Sequence, residues 1–210
     1  DLIERWQEFD QPVYHSGSDS SFSLTVNCNW KLAVENYCEA YHLPFIHPGL
    51  NSYSRLEDHY NIMPAPAYAG QGSTVYEPQI SNDGRAFPNF EGLSQKWSSG
   101  AEYVALFPNL LLGVHRDHCY GIILVPDGPN CTIEHIEIYY AQNAATKSAF
   151  ADMRATNTSM WRDIFIEDVF VVEGMQKGRH SSKYDGGKFS AVMDAPTHHF
   201  HKWVATALRR

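Results

Sequence analysis

The sequence predicts an α+β fold, a curved antiparallel sheet wrapped around a long C-terminal helix, within one domain of residues 1–210. Two patterns predict it. Short runs of aliphatic, β-branched and aromatic residues follow one another with turn residues between them, and a long run of helix formers comes after. A composition of 43% hydrophobic and 13% aromatic residues supplies the core that such a sheet and helix must share.

The first predicted strand is Ser21 to Val26. From Trp30 to His42 the run WKLAVENYCEAYH favours helix, and Pro44, with the restriction it places on Leu43, ends it. Pro64 to Gly100 is rich in Gly, Ser and Pro and reads mostly as loop, suited to covering a pocket. Strands are predicted over Glu102 to Phe107, Leu110 to Val114 and Gly121 to Val125, each bounded by Pro, Gly, Asn or Asp. In Cys131 to Tyr140 the residues Ile133, Ile136 and Ile138 alternate imperfectly with Glu134, His135 and Glu137, so one face is wetter than the other. The short turns imply antiparallel pairing. Asn143 to Gln176 is the longest element, with Asn143 as its cap and Gly178 shortly after its end. A third helix runs from Thr197, after Pro196, to the C-terminus.

This composition excludes disorder, collagen and coiled coil. No apolar run approaches the ~20 residues of a membrane-spanning helix, and the opening DLIERWQEFD lacks the regions of a signal peptide. A net charge of −8 without a basic run argues against nucleic acid or an anionic membrane as partner. Cysteines 28, 38, 119 and 131 form no Cys-x-x-Cys pair and read as reduced, so a cytoplasmic protein is expected. A start at Asp1 without Met reads as a piece of a longer chain.

The chemistry concentrates in NWKLAVENYCEAYHLPFIHP, residues 29–48. At about 100° per residue, Asn36, Glu39 and His42 share one helical face. Pro44 turns the chain, so His47 can fold back toward His42. Imidazole suits Fe, Zn, Cu and Ni, and two His with one carboxylate leave metal positions open. The same face, Glu35-Asn36-Glu39-His42, opposite Trp30, Ala33 and Tyr37, is equally what the solvent side of an amphipathic helix looks like.

Asp168 supplies the candidate third ligand. Trp161, Ile164, Phe165, Val171, Val172 and Met175 all fall within about 60° of it on the long helix. Asp163, Glu167 and Glu173 lie about 100–140° away, at the surface or rim. An ionised carboxylate on an apolar stripe needs a cation, either a metal or an arginine such as Arg154 or Arg179.

Residues 29–48, together with EDVFVVEGMQKG at 167–178, resemble the catalytic domain of Rieske non-haem iron oxygenases, the large (alpha) subunits of ring-hydroxylating oxygenases and related monooxygenases. The resemblance implies a helix-grip (START-like) fold, in agreement with the patterning. It implies mononuclear Fe(II) on His42, His47 and Asp168, Glu39 as the acid bridging an iron ligand toward the Rieske cluster of a neighbouring subunit, and Asn36 as the Asn near the iron. It further implies O₂ and a small organic substrate, a reductase or ferredoxin bringing electrons from NAD(P)H, and a homo-trimer. A Rieske [2Fe-2S] cluster needs Cys-x-His and Cys-x₂-His pairs, and no cysteine here is followed by His at either spacing. The cluster is therefore expected in a preceding domain, and these residues alone are expected to bind iron without turnover.

Glu39 is spaced to hold the non-ligating nitrogen of His42. Tyr103, Phe107, Asn109, Leu111 and His115 are the candidates to line an aromatic-rich pocket. Glu rather than Asp at position 39 resembles the branch that oxidises quaternary ammonium compounds, whose cation aromatic residues can cage; aromatic-ring dihydroxylation and O- or N-demethylation stay open. His115 with His118, and His198-His199-x-His201, lack a ligand set and read as surface or rim residues. Two other classes compete: a zinc hydrolase on the same three ligands with Glu39 as base, and a non-catalytic apolar-ligand binder.

Overall fold

Alternation along the strands, inward apolar and outward polar, is what closes this sheet on one helix. A computed structural model describes residues 1–209; position 210, the end of the predicted third helix, lies outside the described residues. The strands are β1 (Tyr14–His15), β2 (Ser21–Val26), β3 (His59–Ala65), β4 (Tyr68–Ser73), β5 (Ala101–Leu106), β6 (Leu110–Val114), β7 (His118–Pro126) and β8 (Thr132–Tyr140). They form one antiparallel sheet in the order β1-β8-β7-β6-β5-β4-β3, with β2 also paired to β8. The helices are α1 (Leu2–Arg5), α2 (Trp30–Tyr37), α3 (Leu43–Ile46), α4 (Pro48–Asn51), α5 (Ala151–Arg179) and α6 (Ala195–Ala207). Inward side chains of β7 and β8, among them Tyr120, Ile122, Ile136 and Ile138, join Trp161, Ile164 and Phe165 of α5 in one core. Each such side chain contributes about 1.5–3 kcal/mol when buried.

The α+β class and the long helix agree with the sequence reading, and several boundaries do not. The first helix stops at Tyr37, because the Glu39 carboxylate accepts the backbone N–H groups of Tyr41 and His42 and so replaces helical bonding there. Pro44 sits in the first turn of α3 rather than ending a helix, since a missing N–H costs nothing there. Asn143 does not cap α5: it opens a separate short turn, and α5 starts at Ala151 and continues through Gly178. β7 begins at His118, three residues before the predicted start, and α6 begins at Ala195 with Pro196 in its first turn.

The largest correction is in the predicted loop of 64–100, which contains β4. Its YAGQGS sequence has no β-branched residue, yet the two glycines are what the packing requires. A Cβ on Gly70 would lie 2.0 Å from the backbone oxygen of Tyr103, and one on Gly72 would lie 2.5 Å from the Tyr60 ring.

Candidate metal centre

Two breaks in regular structure, one on each side of α3, and the continuous helix α5 bring the predicted ligands together. His42 precedes α3 and His47 follows it, so a single turn separates the two imidazoles and leaves their ring centroids 5.1 Å apart. Asp168 stands on α5 opposite them, its Oδ1 3.0 Å from His47 Nε2 and 3.5 Å from His42 Nε2. One ligand atom from each residue lies within 4.8 Å of the others, the one such grouping among the described residues. Two ligands about 2.1 Å from a common metal and at right angles to it are about 3 Å apart, so the spacing suits one ion.

Hydrogen bonds orient the rings for that role. His42 Nδ1 meets Glu39 Oε1 at 2.5 Å, and His47 Nδ1 meets Glu167 Oε2 at 2.7 Å. Each Nδ1–H therefore donates to a carboxylate and each Nε2 faces inward. Between the two Nε2 atoms sits Asp168 Oδ1, buried and with no partner other than these imidazoles among the described residues. Two imidazole nitrogens facing one buried carboxylate oxygen are a donor set for a divalent cation. Burial lowers the pKa of His47, but Asp168 and Glu167 outweigh burial and leave it raised, so a proton competes with metal for this imidazole.

Alternative partners for these groups are already engaged. Arg179 pairs with Glu35, and Arg154 reaches Asp19 and the carbonyls of Ala145 and Lys147. Neither arginine serves Asp168. The solvent-face reading of α2 also fails, since Glu35 and Asn36 are each only 8% exposed. Glu167, predicted at the surface or rim, lies there at 42% exposure, and from that position its carboxylate accepts from His47 Nδ1. The sequence reading did not foresee this contact, because a position about 100° from Asp168 was judged against solvent and not against His47.

A cavity of about 50 Å³ adjoins the three ligands. Tyr103 lines it, as do His59, Gln71 and Trp161, which sequence reasoning did not single out. His59 Nδ1 is 2.6 Å from Gln71 Oε1, and burial lowers its pKa. Leu111 lines a second, smaller cavity that Asp168 also borders. His115 stands behind Tyr103, its Nε2 3.3 Å from the phenol oxygen, and faces a separate pocket of about 250 Å³. Phe107 and Asn109 line neither cavity beside the ligands: Phe107 packs on Phe200 and Trp203 of α6, and Asn109 donates to the Leu124 carbonyl across the sheet. His115 and His118 are buried rather than superficial, stacked at 4.3 Å; Trp161 Nε1–H donates to His118 Nε2 and His118 Nδ1–H to Asp117. His199 and His201 bond to Ala65 O and Glu35, and form no ligand cluster.

The family model described as the ring hydroxylating alpha subunit (catalytic domain) matches residues 3–210. The chain belongs to that family. Similar proteins include chloroplastic choline monooxygenase of Arabidopsis thaliana, 26% identical over 84% of this chain and 39% of that protein. Putrescine 2-hydroxylase of Bordetella bronchiseptica is 27% identical over 84% of the chain and 43% of that protein. Among solved structures, the quaternary ammonium Rieske monooxygenase CntA in complex with an inhibitor superposes with a TM-score of 0.73 at 20% identity, covering 98% of this chain and 53% of that one. The chain thus spans about half the length, or less, of the relatives it matches. The family resemblance drawn from residues 29–48 and 167–178 is borne out, and the fold with it; the zinc-hydrolase and apolar-binder readings find no support. No described helix is long and apolar enough to cross a membrane.

Proposed function

We propose that this chain is the catalytic domain of an O₂-dependent Rieske-type oxygenase that holds mononuclear Fe(II) on His42, His47 and Asp168. The observation that carries the reading is the buried Asp168 Oδ1, 3.0 and 3.5 Å from two Nε2 atoms whose rings are held from behind by Glu39 and Glu167. Ferrous iron, when bound, supplies the redox chemistry that activates dioxygen, with positions left open by a two-His, one-carboxylate face. The protein's own part is orientation and exclusion. Glu39 fixes the His42 tautomer and, 15% exposed, lies where an external electron donor reaches the iron ligand through one side chain. Tyr103, Tyr120, Trp161 and Phe165 wall the cavity and keep bulk water from it.

In the complete protein, electrons would come from a [2Fe-2S] Rieske cluster on another domain, fed by a ferredoxin or an NAD(P)H-dependent reductase. A homo-trimer would set one subunit's cluster beside the next subunit's Glu39. The substrate in this reading is a small organic cation, hydroxylated or demethylated. Choline, carnitine and putrescine figure in the names of the relatives, and Glu39 matches the quaternary-ammonium branch.

The test is elemental analysis after anaerobic Fe(II) reconstitution of wild type and Asp168→Ala. One iron per chain in the wild type and none in the variant is the expected result. Retention of iron by Asp168→Ala, or zinc preferred at the same stoichiometry, would overturn the proposal.

A further inference from the structure

One carboxylate near the metal centre has no part in the reading above. Glu134 lies on β8, where Thr132, Ile136, Ile138 and Tyr140 point inward and are buried. It belongs to that same inward set. Its cross-strand neighbours are Leu24 on β2 and Leu124 on β7, both apolar. It shares a cavity of about 30 Å³ with Asn36, Tyr37, Phe165 and Asp168. Nothing donates to it: burial, and then the charge of Asp168, push its carboxyl up to about 7. An apolar residue would serve the core better at this position, because an unpaired acid in such surroundings costs stability.

Asn36 is a second, independent observation. Its side chain is 8% exposed, makes no hydrogen bond to a described residue, and borders both the cavity beside the three ligands and the one at Glu134. Two polar side chains without a hydrogen-bond partner among the described residues, one of them an acid, therefore line one small space that Asp168 also borders.

We propose that Glu134 and Asn36 form the recognition site for a protonated amine of the substrate, an alkylammonium carrying N–H donors, whose carbon chain passes Asn36 toward His42, His47 and Asp168. This rests on the oxygenase reading and narrows its substrate. Size and chemistry decide between kinds of cation. A space of this volume accepts about two water molecules, enough for an NH₃⁺ group and too little for a trimethylammonium head. A carboxylate and an amide oxygen gain charge-assisted hydrogen bonds from N–H donors, whereas a quaternary nitrogen has none to offer. No basic side chain of the protein lines the cavity to compete for Glu134.

The experiment is isothermal titration of the 210-residue chain, with and without reconstituted Fe(II), using 1,4-diaminobutane, tetramethylammonium and 1-butanol as probes. Wild type, Glu134→Gln and Glu134→Asp are compared, with circular dichroism showing that each is folded. Diaminobutane is expected to bind wild type in preference to the other probes, to weaken about 10- to 100-fold in Glu134→Gln, and to recover in part in Glu134→Asp. Equal affinity of wild type and Glu134→Gln for diaminobutane, or tighter binding of tetramethylammonium than of the amine, overturns the proposal. A wild type that holds iron yet binds no amine refutes the amine site and leaves the oxygenase reading standing. Conversely, Glu134-dependent amine binding by a chain that takes no iron keeps the amine site and removes the oxygenase reading.

Discussion

Glu39 and Glu167 play the same part toward different imidazoles, and their surroundings predict unequal consequences of losing them. Each accepts the Nδ1–H of one of the two imidazoles proposed to hold the metal, at 2.5 Å for Glu39 and 2.7 Å for Glu167. Removing such an outer partner lowers metal affinity about 10- to 100-fold, or about 1.4–2.8 kcal/mol. Exposure places each variant within that range. Glu39 is 15% exposed and also accepts two backbone N–H groups, so its position is fixed and little screened. Glu167 is 42% exposed, and water shares its charge. Glu39→Gln should therefore approach the hundredfold loss and Glu167→Gln the tenfold loss. Anaerobic competition of Fe(II) between protein and a chelator at fixed pH measures both, with Asp163→Asn, exposed on the same helix, as an unaffected control. Should Glu167→Gln weaken iron as much as Glu39→Gln, or should neither change it, the account of how the rings are held is wrong.

Two further expectations concern the scaffold. Glu102 is fully buried and receives Arg5 (2.7 and 2.8 Å), Trp6 (2.8 Å), Tyr60 (2.7 Å) and Lys96 (2.8 Å). Glu102→Gln should cost about 2–3 kcal/mol in urea denaturation at pH 7, since the cations lose their anionic partner. Burial raises the Glu102 pKa, but its donors outweigh burial and leave it below 4.5. The stabilisation is thus present above that value and lost as pH falls through the lower folded-state pKa, and the variant should show a flatter acid limb. Gly70→Ala should lose about 3 kcal/mol, because its Cβ would meet the Tyr103 backbone oxygen at 2.0 Å. Gly174→Ala, in α5 with nothing within 4 Å, should gain about 0.5–1 kcal/mol, and thermal melts of the pair read the contrast.

What the sequence disclosed depended on whether a residue's surroundings were local. Asp168 was legible because α5 is long and regular, so helical periodicity alone put its carboxylate on the stripe that carries Trp161, Ile164 and Phe165. His42 and His47 were legible through Pro44, which signals a break from the preceding helix; they stand at the two ends of the single turn of α3. Beyond this, the determinants are distant in sequence. β4 was hidden because its glycines answer to Tyr103 and Tyr60, one from the neighbouring strand on each side, and not to any strand propensity of their own. Phe107 and Asn109 have the right composition for a pocket wall, but α6 covers Phe107 and the backbone of β7 takes Asn109. Glu134 was obscured by Ile133 beside it, which made the alternation of β8 look irregular and disguised a strand whose even-numbered residues all face the core.

Charge bookkeeping around the centre ties these observations together. Glu35 is answered by Arg179 and His201 and can be set aside. Glu39 and Glu167 accept from the two imidazoles, and neither Asp168 nor Glu134 is paired with a lysine or arginine among the described residues. A single divalent ion on His42, His47 and Asp168 would offset part of this negative charge. Asp168 and Glu134 border a space walled by Tyr37 and Phe165, where water screens such charge poorly. A neutral substrate would leave that excess in place, and an anionic one would add to it. A cationic substrate reduces it, and one with N–H donors does so while satisfying the two side chains, Glu134 and Asn36, that the fold itself leaves unbonded. The metal site and the amine site are then two responses to one concentration of carboxylates, which is why Glu134 is expected to matter for what binds and Asp168 for what reacts.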